Sequence, residues 1–294
     1  MRKVFLVFLV CFACFNFGCD DSVDIIMEYD EQIAAFLVLD SRYDKQILKV
    51  QKLQNSFGLP SAEKLIDPIS ARLTLPAGYH VTFKDTIMNT VPNFNTLYID
   101  SIDLEPGVYQ LLVVAKDSLS VWSNIVVQNK LDLNVASRGD SAYTVEIKTS
   151  HVIYTHIKPF LVYSVRQNAG LVEKSIEIPG GIDINNRDTV ETFGKILEIP
   201  VSVASPYRLR VLFSNIEYTK NKLKNYFGAE NIQFNRMKFV TYTYSANLYQ
   251  YVNSYEGYTD DYSVRLDQPN YTNIVGGTGI FGAVLIDSTF YNLY

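Results

Sequence analysis

Cysteine is nearly absent from this 294-residue chain: three residues, at positions 11, 14 and 19, and none afterwards. From residue 20 onward no internal disulfide, thiol nucleophile or thiolate metal site can form. Histidine is as scarce, with His80, His151 and His156 alone. His151 and His156 are five apart in a stretch of period two, which points them to opposite faces and keeps them from sharing a metal. No Gly-x-Ser-x-Gly elbow, phosphate-binding loop or twelve-residue calcium register occurs. Lys and Arg, 26 in all, are outnumbered by 31 Asp and Glu, so there is no polyanion-binding surface and no nucleic acid partner. The sequence thus assigns no catalytic residue, no metal and no cofactor.

What is present begins at the amino terminus. Arg2 and Lys3 precede an apolar run from Val4 to Phe17, the charged start and hydrophobic middle of a secretory signal, too short to span a bilayer. Gly18 and Cys19 end the run, and Asp20, Asp21 and Ser22 follow. This pattern resembles a bacterial lipoprotein signal, which implies cleavage after residue 18, lipidation of Cys19 and attachment to a membrane through that residue. Plain secretion with cleavage is the alternative. A mature chain of 276 residues would carry 24 basic and 31 acidic side chains, a net charge of −7. That length is enough for two sizeable cores, and without disulfides those cores alone must hold it. Residues 19–33 read as a tether. Two or more acyl chains at its start would anchor the protein firmly, at about 0.8 kcal/mol per buried CH₂.

From Ala34 the hydrophobic period is mostly two. Residues 34–40 are a short apolar run, and strand-like runs follow at 46–53, 71–75, 79–85, 96–104, 108–117 and 120–128, with turn residues at Pro76, Ala77 and Gly78 and at Glu105, Pro106 and Gly107. Short strands at this spacing argue for a two-sheet sandwich over 34–128. The Gly-Val-Tyr start of the 107–114 strand resembles immunoglobulin-like and prealbumin-like modules. Residues 129–140 are polar and read as a linker. A second β-rich domain follows over 141–294, with strands at 142–148, 151–157, 160–166, 174–178, 196–203 and 208–213. Two segments switch to helical spacing. Ile216 to Phe227 ends before Gly228, and Ala246 to Tyr255 places Leu248, Tyr251, Val252 and Tyr255 on one face. The fold class is therefore mainly β: two sandwich-like domains, the second with one or two short helices.

Side-chain clusters add little chemistry. Asp183, Asn185, Asn186 and Asp188 gather oxygen ligands in GGIDINNRD, and Asp260 and Asp261 lie in GYTDDY, but both have the composition of ordinary turns. Paired carboxylates for a hydrolase are a three-dimensional matter that the sequence leaves open. Ten tyrosines fall between Tyr242 and Tyr294. Exposed, they would suit glycan stacking or a protein interface; half-buried in a sheet, they are ordinary strand residues. Trp122, Tyr249, Tyr251, Tyr255, Tyr258 and Tyr262 are the candidate binding surface.

Residues 240–287 read VTYTYSANLYQYVNSYEGYTDDYSVRLDQPNYTNIVGGTGIFGAVLID. A strand, a tyrosine-bearing helix, a loop containing proline and then Asn273, Ile274, Gly277, Gly279, Ile280, Phe281 and Gly282 are similar to the ending of a Bacteroidetes lipoprotein family, domain of unknown function 4249. The resemblance implies an outer-membrane lipoprotein acting as an accessory of TonB-dependent uptake, with a TonB-dependent outer-membrane protein as partner and no enzymatic activity. It carries over no catalytic residue. Asn273 to Gly282 is expected to be structural, with glycines allowing close backbone approach and Ile280 and Phe281 anchoring the final strand. A surface glycan-binding protein or adhesin is the alternative, and a hydrolase a third.

Overall fold

A computed structural model of the chain describes residues 32–54, 61–63, 69–85, 95–100, 102–115, 119–138, 141–167, 170–180, 182–183, 196–202, 204–256 and 271–293. Cys19, Tyr258, Tyr262 and most of the GGIDINNRD loop lie outside them, as does the Tyr255 side chain. Residues 31–294 form one compact unit.

Nine strands come first: β1 (Gln32–Asp40), β2 (Lys45–Gln54), β3 (Ser61–Glu63), β4 (Ser70–Thr74), β5 (His80–Thr82), β6 (Lys84–Asp85), β7 (Asn95–Asp100), β8 (Gly107–Val114) and β9 (Ser120–Val127). There follow β10 (Leu133–Arg138), β11 (Ala142–Ile147), β12 (Ile153–Gln167), β13 (Gly170–Glu177), β14 (Ile182–Asp183), β15 (Leu197–Ile199) and β16 (Tyr207–Leu212). Helix α1 (Phe213–Phe227), strand β17 (Ile232–Tyr244), helix α2 (Ala246–Glu256) and strand β18 (Gly277–Asn292) complete the chain. The protein is mainly β and sandwich-like.

One large sheet runs β13-β12-β17-β18-β1-β2-β7-β6, with β15 and β3 attached, and two four-stranded sheets, β5-β4-β8-β9 and β10-β11-β16-β14, accompany it. Period-two alternation decides which side chains go where. Ile33, Leu37 and Leu39 of β1, Leu48 and Val50 of β2, and Phe281 of β18 pack against Leu73, Leu111, Val113 and Ile125 of the first small sheet. Ile157, Leu161 and Val165 of β12, with Met237 and Phe239 of β17, pack against Val145, Ile147, Leu209 and Val211 of the second. Ile216 and Leu223 of α1 close that core. Each fully buried side chain of this size contributes about 1.5–3 kcal/mol.

Within the first core, Tyr109 donates its hydroxyl to the Glu105 carbonyl at 3.0 Å and accepts from the Glu105 N–H at 2.9 Å. This is the tyrosine corner of sandwich folds, which pins the loop arriving at β8. β7 and β8, adjacent in sequence, therefore lie in different sheets rather than in a hairpin. The run 79–85 also divides. β5 pairs with β4 and β6 pairs with β7, with the Phe83 N–H donating to the Ala71 carbonyl at the switch.

The structure amends the sequence reading at three boundaries. Ile33, placed in the tether, is a fully buried core residue of β1. Residues 129–140 are not a plain linker. β10 lies within them, pairing Leu133 with Ile147 and Val135 with Val145 of β11, because those apolar residues alternate through the polar background. The chain does pass from the first core to the second near 128–130, but 34–128 and 141–294 are not consecutive, separate domains. β18 pairs in parallel with β1, from Ile33 beside Gly277 to Asp40 beside Val284, and antiparallel with β17, from Tyr244 beside Val284 to Arg236 beside Asn292. Its beginning belongs to the first core and Tyr291 to the second.

Candidate functional site

The singled-out residues that the structure describes converge on one corner, where α2, the segment 271–276 and β9 meet. Ser245 starts α2. Its hydroxyl accepts from the Leu248 N–H at 3.4 Å and from the Ala283 N–H of β18 at 3.1 Å, so the helix cap also fixes the helix to the sheet. Leu248 lies over Gly282, where a Cβ would come within 2.8 Å of the Leu248 Cβ. Around it Phe36, Tyr242, Tyr244, Tyr251, Val252, Tyr271 and Ile286 form a small third core with Ile280 and Val284. Burial raises the Tyr244 and Tyr271 hydroxyls above their ordinary values.

Asn273 sits at the centre of the corner. Its side-chain amide accepts from the Phe281 N–H at 2.9 Å and donates to the Phe281 carbonyl at 2.8 Å, so it imitates a strand neighbour of β18. Its own carbonyl accepts from the Ser123 hydroxyl of β9 at 2.7 Å. Two residues on, Val275 exchanges both backbone hydrogen bonds with Trp122, and the Asn247 amide donates to the Asn124 carbonyl at 3.0 Å. The edge of β9 is thereby covered by side chain and backbone. Gly277 and Gly279 are required by close approach, since a Cβ at either would collide with the carbonyl oxygens of Ile33 and Ala35, and Gly279 has φ +116°.

These placements divide the candidate residues. Tyr251 is committed to the third core, and Tyr249 stacks on Tyr154 with ring centroids 4.1 Å apart. They do not form a linear exposed platform. Asn273, Gly277, Gly279, Ile280, Phe281 and Gly282 hold the corner together. Trp122 is different, because the residue is 47% exposed.

Trp122 lies on the outward face of the sheet β5-β4-β8-β9, and the registers define its neighbours. Leu112 is opposite it, Arg72 lies beyond Leu112, and Val108 faces Val126. Val108, Val126 and Val275 are 48%, 58% and 48% exposed. The remaining outward positions are Ser70, Thr74, His80, Thr82, Gln110, Val114, Ser120 and Asn124, and none of the face is acidic. Thr74 Oγ1 and His80 Nδ1 are 3.0 Å apart at the rim. Inward, Leu73, Tyr109, Leu111, Val113, Val121 and Ile125 are packed in the first core, so the face is rigidly backed.

Sequence reasoning missed a second group, at the β1–β2 turn. The Asp40 carboxylate accepts from Arg42 Nε and from Arg42 Nη2 at 2.6 Å, and the guanidinium lies over Tyr43 and Tyr242 at 5.2 and 6.0 Å. Hydrogen bonding to Asp40 raises the Arg42 guanidinium above its usual value. Gln46 spans the same turn, donating to the Asp40 and Tyr43 carbonyls. Nothing in local spacing links Arg42 to Tyr242; the adjacency arises from β18 lying between β1 and β17. Among the described residues, no group of three or more His, Cys, Asp or Glu side chains is placed to hold a metal ion, and no helix is long and apolar enough to cross a membrane.

No family model matches the sequence, and no curated protein matches it. Among solved structures, the C-terminal globular domain of oligosaccharyltransferase from Pyrococcus abyssi aligns with 69% of this chain and 43% of its own length, at 12% identity and a TM-score of 0.24. The chain thus spans less than half of that protein, and a likeness this slight carries no argument about function.

Proposed function

We propose that this chain is a non-enzymatic, membrane-anchored lipoprotein that docks a protein partner through the Trp122 face. The observation that carries the reading is the exposed Trp122 ring set among Leu112, Val108, Val126 and Val275 on a rigidly backed sheet without carboxylates. An apolar, aromatic centre depleted of charge and rimmed by Arg72, Gln110, Asn124 and His80 is the anatomy of an interface core. Arg72 calls for an acceptor, such as a carboxylate, on the partner's surface. Cys19 would supply outer-membrane attachment, and the resemblance of residues 240–287 supports a TonB-dependent outer-membrane protein of an uptake system as the partner.

Crosslinking and purification of the native, lipidated protein from its own envelope tests this. Recovery of one outer-membrane protein in near-equal amount is expected, and Trp122→Ala should weaken that association by at least about 2 kcal/mol, roughly thirtyfold. Undiminished capture by a folded Trp122→Ala chain refutes the assignment of this face. The anchor is tested separately: Cys19→Ser should abolish acyl labelling and membrane retention, and unchanged retention sinks it.

A second reading has its own observation. Trp122 is flanked on β9 by Ser120 and Asn124, with Gln110 and Arg72 nearby, so a sugar ring stacked on the indole would find hydrogen-bonding groups around it. Recovery of glycan with no stoichiometric protein favours that alternative.

A further inference from the structure

The ten-stranded sheet ends at β13, and this edge has a chemistry that the described residues leave incomplete. Among them β13 pairs only with β12, from Phe160 beside Glu177 to Gln167 beside Gly170. The N–H and C=O groups of every second residue along it therefore face outward with no ladder partner among the described residues. Its side chains are exposed apart from half-buried Ile176, and Leu171 and Val172 are 64% and 37% exposed. The register with β12 sorts them. Val172, Lys174 and Ile176 share the face of Leu161, Tyr163 and Val165, which leads into the second core, while Leu171, Glu173, Ser175 and Glu177 line the other face.

We propose that β13 accepts an extended segment of a different protein as an added strand. The backbone fixes the form of the occupant, because only an extended chain can meet a row of alternating donors and acceptors. The side chains fix its pattern. Cationic residues would lie beside Glu173 and Glu177, and apolar residues beside Val172 and Ile176. Glu173 and Glu177 are 3.2 Å from Arg236 and 3.4 Å from Lys158, yet both are about half exposed and keep further acceptor positions.

A second copy of this chain does not fit. Twofold antiparallel pairing keeps side-chain faces matched only in registers centred on a residue, and the two with the greatest overlap centre on Glu173 or Lys174. Each places like charges directly opposite one another.

The test is hydrogen exchange on the full chain with a capped octapeptide of alternating Lys and Val as the probe. Alternate β13 amides should exchange freely in the unmixed protein, and peptide at about ten times its dissociation constant should slow them about tenfold. N-methylation of one alternate set of peptide residues should abolish the effect, and methylation of the other set should spare it. The double substitution Glu173→Lys and Glu177→Lys should transfer the preference to an octapeptide of alternating Glu and Val, with β12 protection unchanged as the control for folding. Outward β13 amides already protected in the free chain would overturn the proposal, since the edge would then be covered by the chain itself. So would an absence of β13 protection with the probe, or equal protection by a peptide of four Lys followed by four Val.

Discussion

Replacing Asn273 by Ala should destabilise the protein out of proportion to the atoms removed. The side chain makes two hydrogen bonds to one residue, accepting from the Phe281 N–H and donating to its carbonyl, and Phe281 is fully buried in the first core. Alanine leaves both backbone groups without their partner, at about 1–3 kcal/mol for each. Allowing for partial access of water to this part-buried spot, the loss is about 2–4 kcal/mol. For a folded unit of this size each kcal/mol lowers the melting temperature by about 2–4 °C, so a fall of about 4–16 °C is expected by calorimetry. Ser123→Ala is the companion measurement. Its hydroxyl donates to the Asn273 backbone carbonyl, so its loss alone should cost about 1 kcal/mol, and because the two residues share one hydrogen-bond network the double substitution should depart from the sum of the two. A shift below about 2 °C for Asn273→Ala would refute the idea that this amide acts as a surrogate strand.

Tyr109→Phe should keep the packing of the first core and remove only the corner bonds to Glu105, costing about 1–3 kcal/mol in chemical denaturation, and an unchanged midpoint would argue against the corner. The Asp100 carboxyl is held below the usual carboxylate range by a hydrogen bond from the Lys84 ammonium at 2.6 Å. Its folded value being lowered, the pair's contribution is present above the unfolded value of about 3.9 and is lost as pH falls through the folded one. In Lys84→Met, the Asp100 titration followed by NMR should return toward the ordinary range; an unmoved titration excludes the pairing.

The strands were legible because alternation is local. Tyr143, Val145 and Ile147 are buried as their spacing requires, and Ser120 to Val127 alternates out and in over its whole length. Both helices fall where the period changes. Pairing was not legible, because nothing in Gly277 to Val284 encodes a parallel neighbour over 240 residues upstream. β10 was hidden for a different reason: Asn134 between Leu133 and Val135 suits an outward strand position as well as a loop. The tyrosines show the limit most clearly. Tyr251 and Tyr271 are chemically fit for a surface, yet packing around Leu248 takes them inward, and residue type alone does not separate the two fates. Trp122 was legible as a candidate, but its neighbours Arg72 and Leu112 come from register.

The position of β18 bears on the order in which this protein can come into being. Synthesis delivers β1 first and β18 last, yet β18 lies between β1 and β17 in the large sheet, and Phe281 fills the core that β1 begins. A ribosome must deliver every element from β1 through β18 before that core can close, and the strand that closes it must enter between two already made. Folding is therefore a late, long-range event with the slow kinetics of high sequence separation. Until the carboxy-terminal strand arrives, β1 carries an open edge in need of protection, and loss of the last twenty residues would leave both cores incomplete rather than merely trimming one end.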